Sequence, residues 1–184
     1  MYSKEYKVPF DNVSIEVNGL KVKVKGPKGE LEKEFKTFYN IKLEVLDKKV
    51  RVSAEKDKKK VKAIVGSIIA HIRNMVIGVT KGYYCKLKAV YMHFPVKIEV
   101  KENKVFVKNF LGERSPRIAE ITGNVKVSVN GDIITVEGID KDAVMQTALN
   151  IEQTCRIVGY DRRVFLDGIY ITEKGELSSW DKKF

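Results

Sequence analysis

The side chains that most often perform catalysis or bind metals are few and scattered in this sequence. Its two histidines are His71 and His93, and its two cysteines are Cys85 and Cys155. Their spacings match neither a zinc-ligand pattern nor a disulfide framework. Histidines that pack or hydrogen-bond are therefore favoured over catalytic ones, and both cysteines are predicted to be small core residues. We predict that the chain is not an enzyme and has no metal or cofactor site.

Residues 25–30, a glycine-rich basic segment, have some features of a phosphate-binding loop. A P-loop requires four residues between its glycines and then Lys followed by Ser or Thr, and this segment meets neither condition. We therefore predict a tight turn, whose basic side chains could contact a phosphate of RNA only as point charges. The acidic residues show no spacing that would pair two of them for acid–base catalysis.

The charge of the chain indicates a polyanionic partner. Lysine and arginine number 35 against 24 aspartates and glutamates, which gives a net charge of +11 and a pI near 9.5. Nucleic acid is favoured over an acidic membrane surface because no basic amphipathic helix is visible. No apolar run approaches the roughly 18–20 residues of a membrane span, and the start lacks the apolar stretch of a secretory signal. We expect a soluble, cytoplasmic protein with neither a membrane nor a small-molecule substrate as partner.

Lysine and arginine are distributed differently along the chain. Residues 1–82 hold nineteen basic and ten acidic residues, whereas residues 83–184 hold sixteen and fourteen. The lysines of the first half alternate along a predicted strand or form a run at a helix start, as on a solvated face. Five of the seven arginines lie in the second half. Guanidinium groups bind phosphates bidentately and stack on bases, so the second half is predicted to carry the main RNA recognition.

The densest cluster of such residues is residues 160–170, where adjacent arginines stand among aromatic side chains. This segment follows the second predicted helix. We predict a loop that leads into a short hairpin turned at Asp167 and Gly168. An ordinary turn anchored by Phe165 and Tyr170 is the alternative, and the neighbouring arginines favour RNA contact.

The chain also repeats itself. A shift of about 83 positions sets residues 13–30 over 96–113, and one further position sets residues 41–52 over 125–136. Two homologous units are therefore predicted, with domains at residues 1–82 and 83–184 that meet near Gly82.

Each predicted unit has the same order of local patterns. Alternating apolar residues flank the turn Asn18-Gly19, and a second alternating pair of strands turns at Asp47-Lys48. The apolar period then becomes helical after Asp57 in the first unit and after Asp140 in the second, and both aspartates are predicted N-caps. The predicted fold class is α+β, with two tandem duplicated domains that each pack a small antiparallel β-sheet against one α-helix.

Several motifs in the right order resemble the archaeal and eukaryotic form of the large-subunit ribosomal protein six family. They are residues 74–82, 90–95, 109–113 and 161–175, and residues 26–30 are shared with the bacterial branch as well. The resemblance spans nearly the whole chain. The lysine- and glycine-rich segment that follows the second helix in the bacterial branch is absent here, so detailed contacts are not carried over from that branch.

The resemblance implies a non-catalytic protein of the ribosome. Its expected partners are large-subunit ribosomal RNA, near the base of the acidic-protein stalk and the sarcin–ricin region, and the neighbouring large-subunit proteins. The C-terminal domain would be the main RNA contact and would neutralise phosphates where RNA helices approach each other. The predicted RNA-binding residues are Arg162, Arg163, Tyr160, Phe165, Tyr170, Lys174, Arg156, Asn109, Arg114 and Arg117.

Two other functions fit a basic α+β chain. An RNA-modifying enzyme would need a convergent acid, base or metal site, and the sequence offers none. A free-standing regulatory RNA-binding module is harder to separate from a ribosomal protein by its residues, and it is the alternative.

Overall fold

The computed structural model describes residues 2–37, 39–46, 49–91, 94–161 and 163–177. The chain divides into two units, Met1–Lys81 and Gly82–Phe184, called here the N-terminal and the C-terminal unit.

The N-terminal unit contains six strands and one long helix. In chain order they are β1 (Tyr2–Lys7), β2 (Ser14–Asn18), β3 (Lys21–Gly26), β4 (Gly29–Glu34), β5 (Ile41–Leu46), β6 (Lys49–Ala54) and α1 (Lys59–Thr80). The strands form two antiparallel sheets, with the orders β1-β6-β5 and β2-β3-β4.

The C-terminal unit repeats this plan and adds to it. Its elements are β7 (Tyr83–Val90), β8 (Lys97–Lys101), β9 (Lys104–Lys108), a 3₁₀ turn (Phe110–Gly112), β10 (Arg117–Glu120), β11 (Lys126–Asn130), β12 (Ile133–Gly138), α2 (Lys141–Thr154) and β13 (Gly168–Glu176). The sheet orders are β10-β9-β8 and β11-β12-β7-β13. Strand β13 and the 3₁₀ turn have no counterpart among the described elements of the N-terminal unit.

Strand registers confirm the predicted duplication. Val17 pairs with Val22 as Val100 pairs with Val105. In the other sheet, Leu43 pairs with Val52 just as residue 127 pairs with residue 136. The predicted fold class is likewise confirmed, and the structure adds that the strands of each unit are divided between two sheets. Local alternation predicts each hairpin but carries no information on which hairpins join into one sheet.

The core of the N-terminal unit lies between α1 and the alternating valines of the strands. Val22 and Val52 are fully buried, as are Val61, Val65 and Ile72 of the helix. Each such side chain contributes roughly 1.5–3 kcal/mol through burial of apolar surface. By length and composition alone α1 could also cross a membrane, but its apolar face packs into this core.

The two predicted N-caps have different outcomes. The Asp140 carboxylate accepts a hydrogen bond of 3.0 Å from the amide of Asp142, as predicted for the start of α2. The prediction for Asp57 was wrong, because α1 starts one residue later and Lys58 is its N-cap. Asp57 instead pairs with the ammonium group of Lys62 at 2.7 Å. A single aspartate before a helical period does not determine the residue at which the first turn closes.

The predicted tight turn at residues 25–30 joins β3 to β4 and binds the end of α1. The Lys28 amide donates to the Val79 carbonyl at 2.9 Å, and the Lys28 ammonium group donates to the Lys81 carbonyl. A Cβ atom on Gly26 would lie 2.6 Å from Cγ2 of Val79. The glycine is thus required by the close approach of the helix, and the lysine caps the negative end of the helix dipole.

The predicted hairpin at Asp167-Gly168 was wrong. Residues from Gly168 onward form the single strand β13, which pairs antiparallel with β7 and runs from opposite Val90 to opposite Tyr83. Without β13, β7 would be a sheet edge with unpaired amide and carbonyl groups. The local pattern could not predict this outcome, because the pairing partner lies far back in the chain.

Candidate nucleic-acid interface

The predicted RNA-binding residues fall in three places in the C-terminal unit. The first is the loop between α2 and β13, called here the C-terminal loop, residues 155–167 without residue 162. The second is strand β13, and the third is the connection between β9 and β10, residues 109–116. Arg162 lies outside the described residues. These three places differ in how much of their positive charge is available to a ligand.

An ordered turn presents the exposed side chains of the C-terminal loop. The Asp161 carbonyl accepts from the amides of Val164 and Phe165 at 3.0 and 2.9 Å, and the Asp161 carboxylate accepts from the amide of Arg163 at 2.9 Å. The rings of Tyr160 and Phe165 lie 4.8 Å apart in a tilted arrangement. This aromatic pair and the aspartate fix the backbone, so the Arg163 side chain projects from a rigid turn into solvent.

Apolar surface accompanies the cations of this loop. Tyr160 is 56% exposed, and Val158, Val164 and Leu166 are also exposed. The Tyr170 hydroxyl donates to the Leu166 carbonyl at 3.2 Å, which ties the loop to the first residues of β13. Exposed aromatic and aliphatic groups beside arginines suit unstacked bases and ribose together with phosphates.

Strand β13 places Lys174 on the sheet opposite Cys85, with the lysine side chain exposed. The main-chain amide of Ile171 donates to the Glu152 carboxylate of α2 at 3.0 Å, so the strand is anchored to the helix beneath it. Lys174 is thus held within a strand, and the exposed Arg156 lies two residues after the end of α2.

Arg117 was predicted to bind RNA, yet most of its donors are used inside the C-terminal unit. Its guanidinium forms a bidentate pair with the Glu113 carboxylate, with distances of 2.8 and 2.6 Å. Nη1 also donates to the carbonyls of Thr154 and Arg156 at 3.0 and 3.1 Å, and the group stacks on Phe110 at 4.5 Å. The hydrogen bonds from Arg117 lower the pKa of the Glu113 carboxyl. Arg117 therefore fastens the connection at residues 109–116 to the end of α2.

The rest of this connection has an unusual backbone that directs Arg114 outward. Asn109 has a φ of 60°, in the left-handed region that asparagine tolerates, and its side-chain amide donates to the Pro95 carbonyl at 3.0 Å. Arg114 is exposed just beyond the 3₁₀ turn. The local structure thus leaves Arg114 available to a partner, whereas Arg117 is used internally.

The cysteines and histidines do not assemble into a reactive site in the described part of the chain. Burial raises the pKa of the Cys155 thiol to about 12 and that of Cys85 to about 11. Both are buried free thiols, which confirms them as core residues. His71 packs against Phe35 and lies 3.1 Å from the Lys33 ammonium group, while His93 is outside the described residues. Among the described side chains, no group of three His, Cys, Asp or Glu residues could hold a metal ion.

A cavity of about 350 Å³ lies under the C-terminal loop and is lined by Glu152, Cys155, Arg156, Asp167 and Tyr170 among others. A nucleophilic cysteine would need a thiolate, and the raised pKa keeps Cys155 protonated near neutral pH. Cys155 therefore lines this cavity as a small, protonated core side chain.

Four lysines of β8 and β9 share one exposed sheet face and are not among the predicted RNA-binding residues. They are Lys97, Lys101, Lys104 and Lys108. The available signal was their alternation with the apolar residues of a predicted hairpin. That pattern is the same as in the first half, where it indicates only a solvated face.

The fold and these surfaces define a class of protein, a duplicated α+β chain with exposed cationic and aromatic side chains suited to nucleic acid. Comparison with known proteins identifies the family. The family model described as Ribosomal protein L6 matches residues 11–82 and again residues 94–168. The chain belongs to the ribosomal protein L6 family, which confirms the resemblance predicted from its motifs.

Its relatives are similar over nearly their whole length. The chain is 48% identical to large ribosomal subunit protein uL6 of Desulfurococcus amylolyticus over 176 residues, which cover 95% of each chain. It is 51% identical to the protein of the same name from Staphylothermus marinus, with 94% of this chain and 95% of the relative covered. For Methanothrix thermoacetophila the identity is 47%, with 89% and 93% covered.

Proposed function

We propose that the chain is a structural constituent of the large ribosomal subunit, located in cytoplasmic ribosomes, that binds large-subunit ribosomal RNA and catalyses no reaction. The observation that carries this proposal is the near full-length similarity to relatives named large ribosomal subunit protein uL6. The net charge of +11 supplies the long-range attraction that such a partner requires.

Within the subunit, the proposed position is near the stalk base and the sarcin–ricin region, beside the neighbouring large-subunit proteins. The support for this position is the set of family motifs, which include residues 109–113 and 161–175. Hydroxyl-radical footprinting of large-subunit RNA with the purified chain tests it. Protection confined to RNA remote from the sarcin–ricin loop would refute the position and leave the RNA-binding function standing.

The C-terminal unit is proposed to make the main RNA contact. Arg163, Arg156 and Lys174 are exposed on backbone that is fixed by hydrogen bonds, and Arg114 projects from a second rigid connection. Rigid donors lose little conformational freedom on binding and can recognise the shape of folded RNA. Tyr160, Phe165 and Tyr170 add ring surface for bases, and Asn109 and Arg117 hold the connection in place.

Co-sedimentation with large subunits separates a ribosomal protein from a free-standing regulatory RNA-binding module. Tagged chain expressed in its native cells should remain with large subunits after a high-salt wash. Release of all the protein by the wash would favour the regulatory module. Binding of the purified chain to large-subunit RNA should also weaken with salt, with a slope of log affinity on log salt of roughly −3.5 to −4.5 if about five phosphates are neutralised.

The assignment of the contact to the C-terminal unit is tested by matched double variants. Arg162→Ala with Arg163→Ala should weaken RNA binding by about tenfold or more, because each arginine that binds RNA contributes on the order of 1 kcal/mol or more. Arg51→Ala with Arg73→Ala removes the same charge from the N-terminal unit, where Arg51 is paired with Glu5 at 2.6 Å. Equal losses in both variants would show that the contact depends on net charge alone.

A further inference from the structure

The outer face of the sheet β8-β9-β10 carries four lysines on one side. Alternation along β9 turns Val105 and Val107 into the core, where both are fully buried, and turns Lys104 and Lys108 outward. Strand β8 contributes Lys97 and Lys101 to the same side, and the register sets them opposite Lys108 and Lys104. These four residues are called here the lysine face.

One carboxylate lies among three of these lysines. Glu99 accepts from Lys108 at 2.9 Å and lies 3.4 Å from Lys97 and 3.5 Å from Lys101. The hydrogen bond from Lys108, with the other two lysines, lowers the pKa of the Glu99 carboxyl to about 2. A single negative charge cannot neutralise three ammonium groups, and Lys97 and Lys101 remain 75% and 67% exposed.

The equivalent face of the N-terminal unit is neutralised. Its lysines are Lys21, Lys23 and Lys25 of β3, and the register sets glutamates of β4 opposite all three. Ion pairs join Lys21 to Glu32 at 2.5 Å, Lys23 to Glu30 at 3.2 Å and Lys25 to Glu16 at 3.1 Å. With Glu34, this face holds four carboxylates for three lysines, whereas the lysine face shares its sheet surface with only Glu99 and Glu120.

The difference originates in the first and third strands. Strand β8 carries Lys97 and Lys101 where β2 carries Ser14 and Asn18. Strand β4 supplies an outward glutamate at every second position, whereas the four-residue strand β10 supplies Ile118 and Glu120. Ile118 is exposed and lies opposite Phe106 in the middle of the face. The C-terminal unit thus has a patch with an apolar centre and an excess of positive charge around it, whereas the equivalent face of the N-terminal unit is neutralised.

We propose that the lysine face binds the phosphate backbone of RNA as a contact surface additional to the C-terminal loop, an inference that rests on the proposed RNA-binding function. Excess ammonium charge on a rigid sheet suits a polyanion, because each bound phosphate releases counterions. The apolar centre suits ribose or an exposed base. Lys108 directly precedes Asn109, so the face is continuous with the connection that presents Arg114, and RNA bound there can extend onto the lysines.

The test uses the full-length chain and large-subunit ribosomal RNA titrated at several salt concentrations. In the variant Lys97→Gln with Lys101→Gln, the salt slope should fall in magnitude by about 1.4–1.8, because each lysine that contacts a phosphate contributes about 0.7–0.9. The matched control, Lys21→Gln with Lys25→Gln, removes the same charge from the neutralised face and should change the slope by less than half as much. Far-UV circular dichroism should be unchanged in both, because the substituted side chains are exposed.

A second variant reverses the sign of the effect. Glu99→Gln removes the carboxylate and should tighten RNA binding by several-fold, whereas an ion cluster that only stabilises the sheet would leave RNA affinity unchanged. If the unmodified protein binds RNA but the two lysine variants have equal salt slopes, this proposal is overturned and the proposed function stands. The same result is expected if the lysine face contacts an acidic protein and not RNA. Unmodified protein with no salt-dependent RNA binding would overturn the proposed function as well.

Discussion

The two units show that net charge and available charge are different quantities. The N-terminal unit has the larger excess of basic residues, but the lysines of its strand β3 face glutamates across the sheet. The C-terminal unit is nearly neutral by count, yet its lysine face, Arg114 and Arg163 are exposed. The charge offered to a polyanion therefore depends on strand register, which decides whether an acidic side chain lies opposite each basic one.

A second comparison concerns the ends of the two helices. The last turns of α1 and α2, both fully described, carry no basic side chain of their own. In each unit, a cation at the start of the third strand or just before it, in the sheet β2-β3-β4 or β8-β9-β10, binds the helix C-terminus. Lys28 does so through the Lys81 carbonyl, and Arg117 through the carbonyls of Thr154 and Arg156. The duplicated units thus solve the same problem of unsatisfied carbonyl groups with different side chains.

Removing these two cations should give the largest difference in stability. Arg117→Ala should lower the free energy of unfolding by about 2–3 kcal/mol, because several charge-assisted hydrogen bonds and a ring contact are lost and Glu113 is left unpaired. Lys28→Ala should lower it by only about 0.5 kcal/mol, because an exposed lysine at a helix end contributes little. Urea denaturation of the full chain measures both values. Equal losses would mean that the bonds from Arg117 to Glu113 and to the end of α2 add no more stability than the single bond from Lys28.

A smaller difference in stability is expected between Gly26, in the turn that joins β3 to β4, and its counterpart Asn109. Gly26→Ala should cost about 2 kcal/mol, because the added Cβ would meet Val79 Cγ2 at 2.6 Å and the Val79 carbonyl oxygen at 2.9 Å. Asn109, the equivalent residue of the C-terminal unit, has a positive φ that glycine adopts freely. Asn109→Gly should therefore cost only about 0.5–1 kcal/mol, from the lost hydrogen bond to the Pro95 carbonyl. Thermal unfolding of both variants decides this. A harmless Gly26→Ala would show that the turn can move away from α1.

The smallest expected effect is the titration of Glu99. Its folded-state pKa of about 2 lies below the ordinary value of 4.5, so its ion pairs stabilise the fold above about pH 4.5. That contribution is lost as the pH falls from about 4.5 towards 2. Carbon-detected NMR of the Glu99 carboxyl should show this midpoint, and Lys108→Gln should move it upward. A midpoint near 4.5 in the unmodified protein would show that Glu99 does not form these ion pairs with the lysine face.

Much of this protein was determined by local sequence. The alternation of Val22 with Val24 and of Val50 with Val52 predicted buried strand faces, and its recurrence in the second half predicted the duplication and the matching registers. Asp140 was a correct N-cap, and the two cysteines were correct core residues. These features depend on neighbours within a few positions, so the sequence contains the relevant physics directly.

Tertiary structure alone decided which sheet each strand joins and which cations are used internally. Two of these features join residues that are distant in sequence, namely the pairing of β13 with β7 and the bonds from Arg117 to the end of α2. A third, the glutamates opposite the lysines of β3, is set by strand register. Arg114 and Arg117 lie three positions apart, and a count of charges or arginines treats them alike. Only the fold shows that Arg117 is bonded internally and that Arg114 is exposed. The physical reason is that the availability of a charged group depends on the oppositely charged groups that folding brings within a few ångströms of it.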